Sequence, residues 1–178
     1  MALIKTATPE NASDEIKEQY SIFEPLGFVP APFQLFSASP FLLDLRKQGI
    51  IYGMDHPTLS AGLTALIRLL IADDQDYYYC ISANKQILSM FGFADEDEAA
   101  KAVADPASAP LNEKDKAMLL FVLKAVRTPD EVQQEDVDHL RRLGWSDQDI
   151  FEATAHGAGM VSDGILFKAF KMKEGMAC

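Results

Sequence analysis

Apolar residues recur at three- and four-residue spacing along most of the chain, and no stretch of five or more residues alternates strictly between polar and apolar. A half-buried strand needs that alternation, whereas the three/four spacing lays one apolar stripe along a helix. The pattern predicts an all-α fold of about seven to nine helices. The first spans residues 13–24, with Ile16, Tyr20 and Phe23 on one face and Gly27 just past its end. In the stretch GFVPAPF (27–33) each proline holds the preceding residue extended, so a compact loop is expected.

Ser39 and Pro40 supply a cap and a first-turn proline for a second helix, which carries Phe41, Leu42, Leu45 and Ile50 inward and stops before His56-Pro57. Ser60 caps a deeply packed third helix bearing Leu63, Leu66, Ile67, Leu70 and Ile71. Asp73, Asp74 and Asp76 suit the positive end of the next, which runs through Cys80 and Ile87 to Phe91, with Gly92 as its stop. Residues 94–110 read as a short exposed helix and then a surface linker. Asn112 and Asp115 form a capping pair ahead of a helix that buries Met118, Leu119, Val122, Leu123 and Val126 and ends near Thr128-Pro129. A shorter helix covers 134–143, stopped by Gly144. Ser146 caps a last one over 147–170, where Gly157, Gly159 and Gly164 permit close approach of another backbone.

The length of 178 residues suits one domain over 1–178, with the helices before and after the linker stacked as layers of a bundle. A net charge of −11 repels phosphate backbones and anionic bilayers, so neither nucleic acid nor a membrane is an expected partner. The N-terminal stretch lacks the apolar segment of a signal peptide, and Arg68 interrupts the longest apolar run, 63–72. With only Cys80 and Cys178, a disulfide framework is excluded and a reducing, cytoplasmic setting is expected. No H-E-x-x-H pattern or glycine-rich phosphate loop occurs, so no metal, nucleotide or other cofactor is assigned.

Three stretches, in order and covering nearly the whole chain, carry a resemblance. They are GFVPAPF (27–33) with Ser39-Pro40, the helix pair over 60–93 containing YYYC (77–80) and Gly92, and LNEKDKA (111–117) followed by Pro129, Asp136-Val137, Leu140, GWSD (144–147) and Ile150. Together they resemble the peroxidase-related branch of the alkylhydroperoxidase D-like (carboxymuconolactone decarboxylase) family. The resemblance implies an all-helical fold, a homo-oligomer (dimer, trimer or hexamer) and a chemical centre made of a C-x-x-C pair, a histidine four residues after it and a glutamate about twelve residues before it. Cysteines at i and i+3 and a histidine at i+7 share one helical face, the helix N-terminus favours a thiolate, and histidine with glutamate relays protons. Carried over position by position, the set is degenerate. The second cysteine is Cys80, but Tyr77 stands at the first, Asn84 at the histidine and Ala65 at the glutamate. Tyrosine closes no disulfide, asparagine exchanges no proton near neutral pH and alanine has no ionisable group, so the two-cysteine cycle is unavailable.

Cys80 is therefore the candidate thiol, favoured by the start of its helix and opposed by the nearby aspartates, with a packed, inert thiol as the plain alternative. Arg68, one turn after Ala65, could bring positive charge to the site or pair with an aspartate or reach solvent. His156 could replace the lost proton carrier from across the bundle or be a satisfied structural histidine. Tyr77 is expected inward beside Cys80, while His56 and His139 read as surface residues. Three functions remain open: a one-cysteine antioxidant resolved by an external thiol or by Cys178, a non-catalytic oligomer that binds a small molecule in the family pocket, and a decarboxylase- or lactonase-type enzyme.

Overall fold

The computed structural model describes residues 2–172, and among them it is helical throughout, without a strand. The α-helices are α1 (Asp14–Tyr20), α2 (Ala31–Phe36), α3 (Pro40–Met54), α4 (Ala61–Asp74), α5 (Tyr78–Met90), α6 (Glu96–Ala104), α7 (Glu113–Arg127), α8 (Gln134–Arg142) and α9 (Asp147–Ala169). They fall into two compact units, one made of Pro57–Gly164 and the other of the chain before it together with the chain from Ile165 onward. The tail bearing Cys178 lies outside the described residues.

In the first unit, Ile16, Tyr20, Phe33 and Leu43 form the buried centre, and Phe23 meets Phe33 edge-on at 4.6 Å between ring centroids. The backbone N–H of Leu3 donates to the carbonyl of Phe170 at 2.9 Å, which ties the two ends of this unit together. Two sequence expectations need correction here. The first helix does not reach residue 24: α1 ends at Tyr20 and the chain continues as a 3-10 turn, Ser21–Leu26. Pro25 is the cause, because it has no N–H and its ring clashes with the carbonyl four residues back. The expected loop over 27–33 contains the start of a helix, since Pro30 caps α2 and Pro32 sits in its first turn, where a proline costs no hydrogen bond.

A third correction concerns α3. Leu43 is fully buried and Ile50 half-buried, but Phe41 is 71% exposed, Leu42 48% and Leu45 49%. Apolar residues occupy both sides of this helix, so periodicity alone did not say which side faces the core.

Tyr20 shows how this small core responds to pH. Its hydroxyl donates to the carbonyl of Ala7 at 2.8 Å, and burial pushes its titration above the ordinary tyrosine value, against a smaller opposing effect from Ser37. The unfolded chain then ionises first. The stability this group contributes is fully present below pH about 10 and is lost as pH rises toward the raised folded value. An absorbance titration of phenolate should show a smaller late-ionising phase in Tyr20→Phe than in the wild type, and a late phase of unchanged size contradicts the assignment.

The Pro57–Gly164 unit is built around α4, which is apolar nearly all round and buries Leu63, Leu66, Ile67, Leu69, Leu70 and Ile71. Each such side chain contributes about 1.5–3 kcal/mol of transfer free energy. α5, α6 and α7 pack on it. α7 contributes Met118, Leu119, Val122 and Leu123, and α6 buries Ala99 and Ala102 against the bundle, so its alanine face is an inner one and not simply exposed.

A fourth correction lies at the α4–α5 junction. Asp73 and Asp74 are the last residues of α4 and do not open α5, and Asp76 takes a left-handed backbone (φ 49°) in the turn between them. Aspartate tolerates that conformation better than most residues. Two carboxylates at the negative end of a helix are unfavourable. Arg127 offsets one of them by bidentate bonds to Asp74 of 2.7 and 2.9 Å.

Candidate functional site

The turn closes when the N–H of Tyr77 donates to the carbonyl of Ala72 at 2.9 Å, which fixes where α5 begins. Tyr77 is its N-cap residue, Cys80 lies in its first turn and Asn84 one turn further on the same face. All three are buried, as is Ala65 on α4. Asn84 is pinned from both ends: its Nδ2 donates to the Cys80 carbonyl at 2.7 Å and its Oδ1 accepts from Nε of Arg68 at 2.8 Å.

Arg68 is half-buried one turn beyond Ala65, and its Nη1 lies 3.3 Å from Nε2 of half-buried His156 on α9. A guanidinium has donors only, so Nε2 is the acceptor in this contact and the ring proton belongs on Nδ1. The result is one polar chain, Cys80 carbonyl, Asn84, Arg68, His156, joining three helices.

Arg68, Asn84 and His156 are thus brought into one network beside Cys80. α9 also passes close to the junction: a Cβ built on Gly164 would lie 3.8 Å from the Tyr77 ring. One residue was missed. Asp163 is only 4% exposed, and its spacing of seven residues from His156 places it on the same face of α9. The signal available was an aspartate within an apolar, glycine-containing helix. Tyr77 is inward as expected, whereas Tyr78 is exposed. His56 is half-buried edge-on to Tyr52, and exposed His139 lines a groove of about 560 Å³ between α7 and α8 with Leu120, Phe121 and Lys124. None of the residues around Cys80 lines that groove.

The other buried carboxylates serve helix starts. Asp115 accepts from Ser60, the N-cap of α4, at 3.0 Å, and Asp149 accepts from Ser146 at 2.6 Å and from Thr58. Among the described residues no group of three His, Cys, Asp or Glu side chains is placed to hold a metal ion, and no helix is long and apolar enough to cross a membrane.

No family model and no curated protein sequence matches the chain. Solved structures do match. An uncharacterized peroxidase-related protein from Silicibacter sp. TM1040 superposes with a TM-score of 0.82 at 21% identity, covering 97% of this chain and 91% of that one. The alkylhydroperoxidase AhpD core of an uncharacterized peroxidase-related protein from Ralstonia eutropha JMP134 gives 0.78 at 21% identity, with the same 97% and 91%. The chain has the alkylhydroperoxidase AhpD-core fold. A third similar structure is the debrominase Bmp8, solved as a cysteine-to-alanine variant in complex with 2,3,4-tribromopyrrole (TM-score 0.77, 18% identity, 98% of this chain and 92% of that one covered). On this fold, function has to be argued from the site, and the candidate here is Cys80 with the Arg68 network beside it.

Proposed function

We propose that this chain is a one-cysteine, thiol-dependent reductase of small hydroperoxides, with Cys80 as the redox group. The observation that carries the reading is the bridge from Arg68 to both Asn84 and His156, which places a fixed cation and an imidazole next to the helix turn that holds Cys80. Near-complete burial of Cys80 favours small or apolar peroxides over bulky ones.

The cycle balances without a second protein cysteine. The Cys80 thiolate attacks the outer peroxide oxygen, the S–O bond forms as the O–O bond breaks, and the departing alkoxide takes a proton to leave as an alcohol. In this reading His156, which contacts Arg68, passes that proton. An external low-molecular-weight thiol then displaces water from the sulfenic acid to give a mixed disulfide. A second such thiol restores Cys80 and leaves as the oxidised thiol dimer.

The test is mass spectrometry of a Cys178→Ser background after graded hydroperoxide, with a sulfenic-acid trap present. Cys80 should gain one oxygen or the trap at low peroxide and return to the thiol on addition of external thiol. A Cys80 that reacts no faster in the folded protein than in the urea-unfolded chain overturns the reading.

The debrominase likeness favours a second substrate for the same thiol. In thiol-dependent debromination, hydrogen replaces the ring bromine, bromide leaves and two thiols become a disulfide. Bromide release from a brominated pyrrole that depends on Cys80 supports it, and release unaffected by Cys80→Ser rejects it.

A further inference from the structure

The groove between α7 and α8 takes no part in the thiol chemistry, and its two walls are pinned at both ends. At one end Nζ of Lys114 donates to the Gly144 carbonyl at 3.1 Å, and the Trp145 indole N–H donates to the Lys114 carbonyl at 3.1 Å. At the other, Lys124 pairs with Asp136 at 2.6 Å. Lys114 opposite Gly144 and Lys124 opposite Asp136 make the helices antiparallel. Two residues inward from the first contact, Lys116 therefore stands opposite Arg142, and both line the groove. Between the ends the floor is apolar, with Ala117, Leu120 and Phe121 from α7 and buried Leu140 from α8. Leu120 is 40% exposed within this concave floor, so a molecule lying there removes a large apolar side chain from water.

We propose that this groove binds a medium-chain aliphatic carboxylate, its head between Lys116 and Arg142 and its tail over Leu120 and Phe121. Charge selects the head. Among the described residues neither Lys116 nor Arg142 has a hydrogen bond or an ion pair, on a chain whose net charge is −11. Asp138, one turn before Arg142, is already held by Arg141 at 2.7 Å and Gln134 at 3.0 Å. Two like charges facing each other across one mouth are favoured by an anion between them.

Charge also sets the direction. Lys124 is neutralised by Asp136 at the far end, and Glu135 beside that pair repels a carboxylate. The head therefore stays at the Lys116 end, clear of Glu113, which stands at the first position of α7, where the helix N-terminus favours its charge.

Size decides between a small molecule and a protein segment. The volume of about 560 Å³ lies within the range of small-ligand pockets, about 300–1,000 Å³. From Lys116 to Lys124 the helix rises about 12 Å, the span of a medium-chain acyl group. A helix with side chains is about 10–12 Å wide, whereas neighbouring helix axes lie about 8–10 Å apart, so a partner helix rides on the rims and does not reach Leu140.

Calorimetric titration of the full chain with octanoate tests the proposal, and circular dichroism controls for folding. Octanoate should bind one per chain at millimolar concentration or below. Octanol, which lacks the charge, and butanoate, which lacks the tail, should each bind at least about fivefold more weakly. Lys116→Ala and Arg142→Ala should each weaken octanoate about two- to fivefold, and the double charge reversal Lys116→Glu with Arg142→Glu should weaken it at least about twentyfold. Leu120→Trp, at an exposed position that does not endanger the fold, fills the floor and should weaken it about tenfold. Absence of binding at millimolar octanoate, or equal binding by the double charge reversal, overturns the site. Octanol as tight as octanoate overturns the carboxylate.

Discussion

Arg68→Met is expected to slow peroxide oxidation of Cys80 about tenfold or more while leaving a folded protein. The substitution keeps an apolar stem of similar length and removes the guanidinium, and with it the bonds to Asn84 Oδ1 and His156 Nε2. Hydrogen bonds to a charged group contribute about 1.5–3 kcal/mol each, and about 1.4 kcal/mol corresponds to tenfold in rate. A loss of this size requires that between about half and nearly all of one such bond acts on the reacting thiol.

Arg68→Lys separates charge from geometry. Lysine keeps the cation but offers a single compact ammonium in place of a planar fork, so it cannot hold Asn84 and His156 together. Its rate should fall between wild type and Arg68→Met. The measurement is the pseudo-first-order rate of Cys80 modification against peroxide concentration, with thermal melting recorded in parallel. Removing one partner of buried Asn84 should also lower stability by about 1–3 kcal/mol. A destabilised variant with an unchanged oxidation rate would make Arg68 a purely structural residue.

The helices themselves were readable because each carries its own evidence. Ser60 and Asn112 cap as their positions suggested, and the apolar spacing of α4 and α7 matches what is buried. Local ambiguity decided the failures. Aspartates suit a helix start, but they also suit the left-handed turn that Asp76 makes, and only the Asp74 to Arg127 pair, 53 residues apart, shows which use was made of them. In α3 both faces are apolar, so the sequence marked a helix without marking its inside.

The site was legible in parts. Matching the family positions singled out Ala65, Tyr77, Cys80 and Asn84, which are all buried. Their replacement partners could not be found that way. Arg68 reaches Asn84 across 16 residues and His156 across 88, and no spacing rule within one helix encodes a contact between three. The sequence offered His156 either as a proton carrier from across the bundle or as a structural histidine, and its contact with Arg68 is compatible with both. Its link through Arg68 is a tertiary fact.

Gly157 on α9 is a position where adding a single methyl group should cost stability. A Cβ there would stand 2.6 Å from Cγ1 of Val122, 3.0 Å from Cδ1 of Ile71 and 3.3 Å from Cγ2 of Val126. The nearest atom belongs to a β-branched side chain on a helix, which has one strongly preferred rotamer and cannot swing away. Gly157→Ala in an open helix would gain about 1 kcal/mol from propensity. Here overpacking costs about 1–3 kcal/mol and should outweigh that gain, so the net effect is a loss.

Val122→Ala alone opens a cavity at a fully buried position and should cost about 2–3 kcal/mol. Combined, the added methyl occupies part of the space that the valine vacates, so the double variant should be at least 1 kcal/mol more stable than the two single losses added together. Urea unfolding of the four proteins measures this coupling. Strict additivity would mean that α9 does not pack against Val122 at Gly157. A favourable coupling establishes that the glycine is there to let α9 approach α7 and α4, the same approach that brings His156 to Arg68.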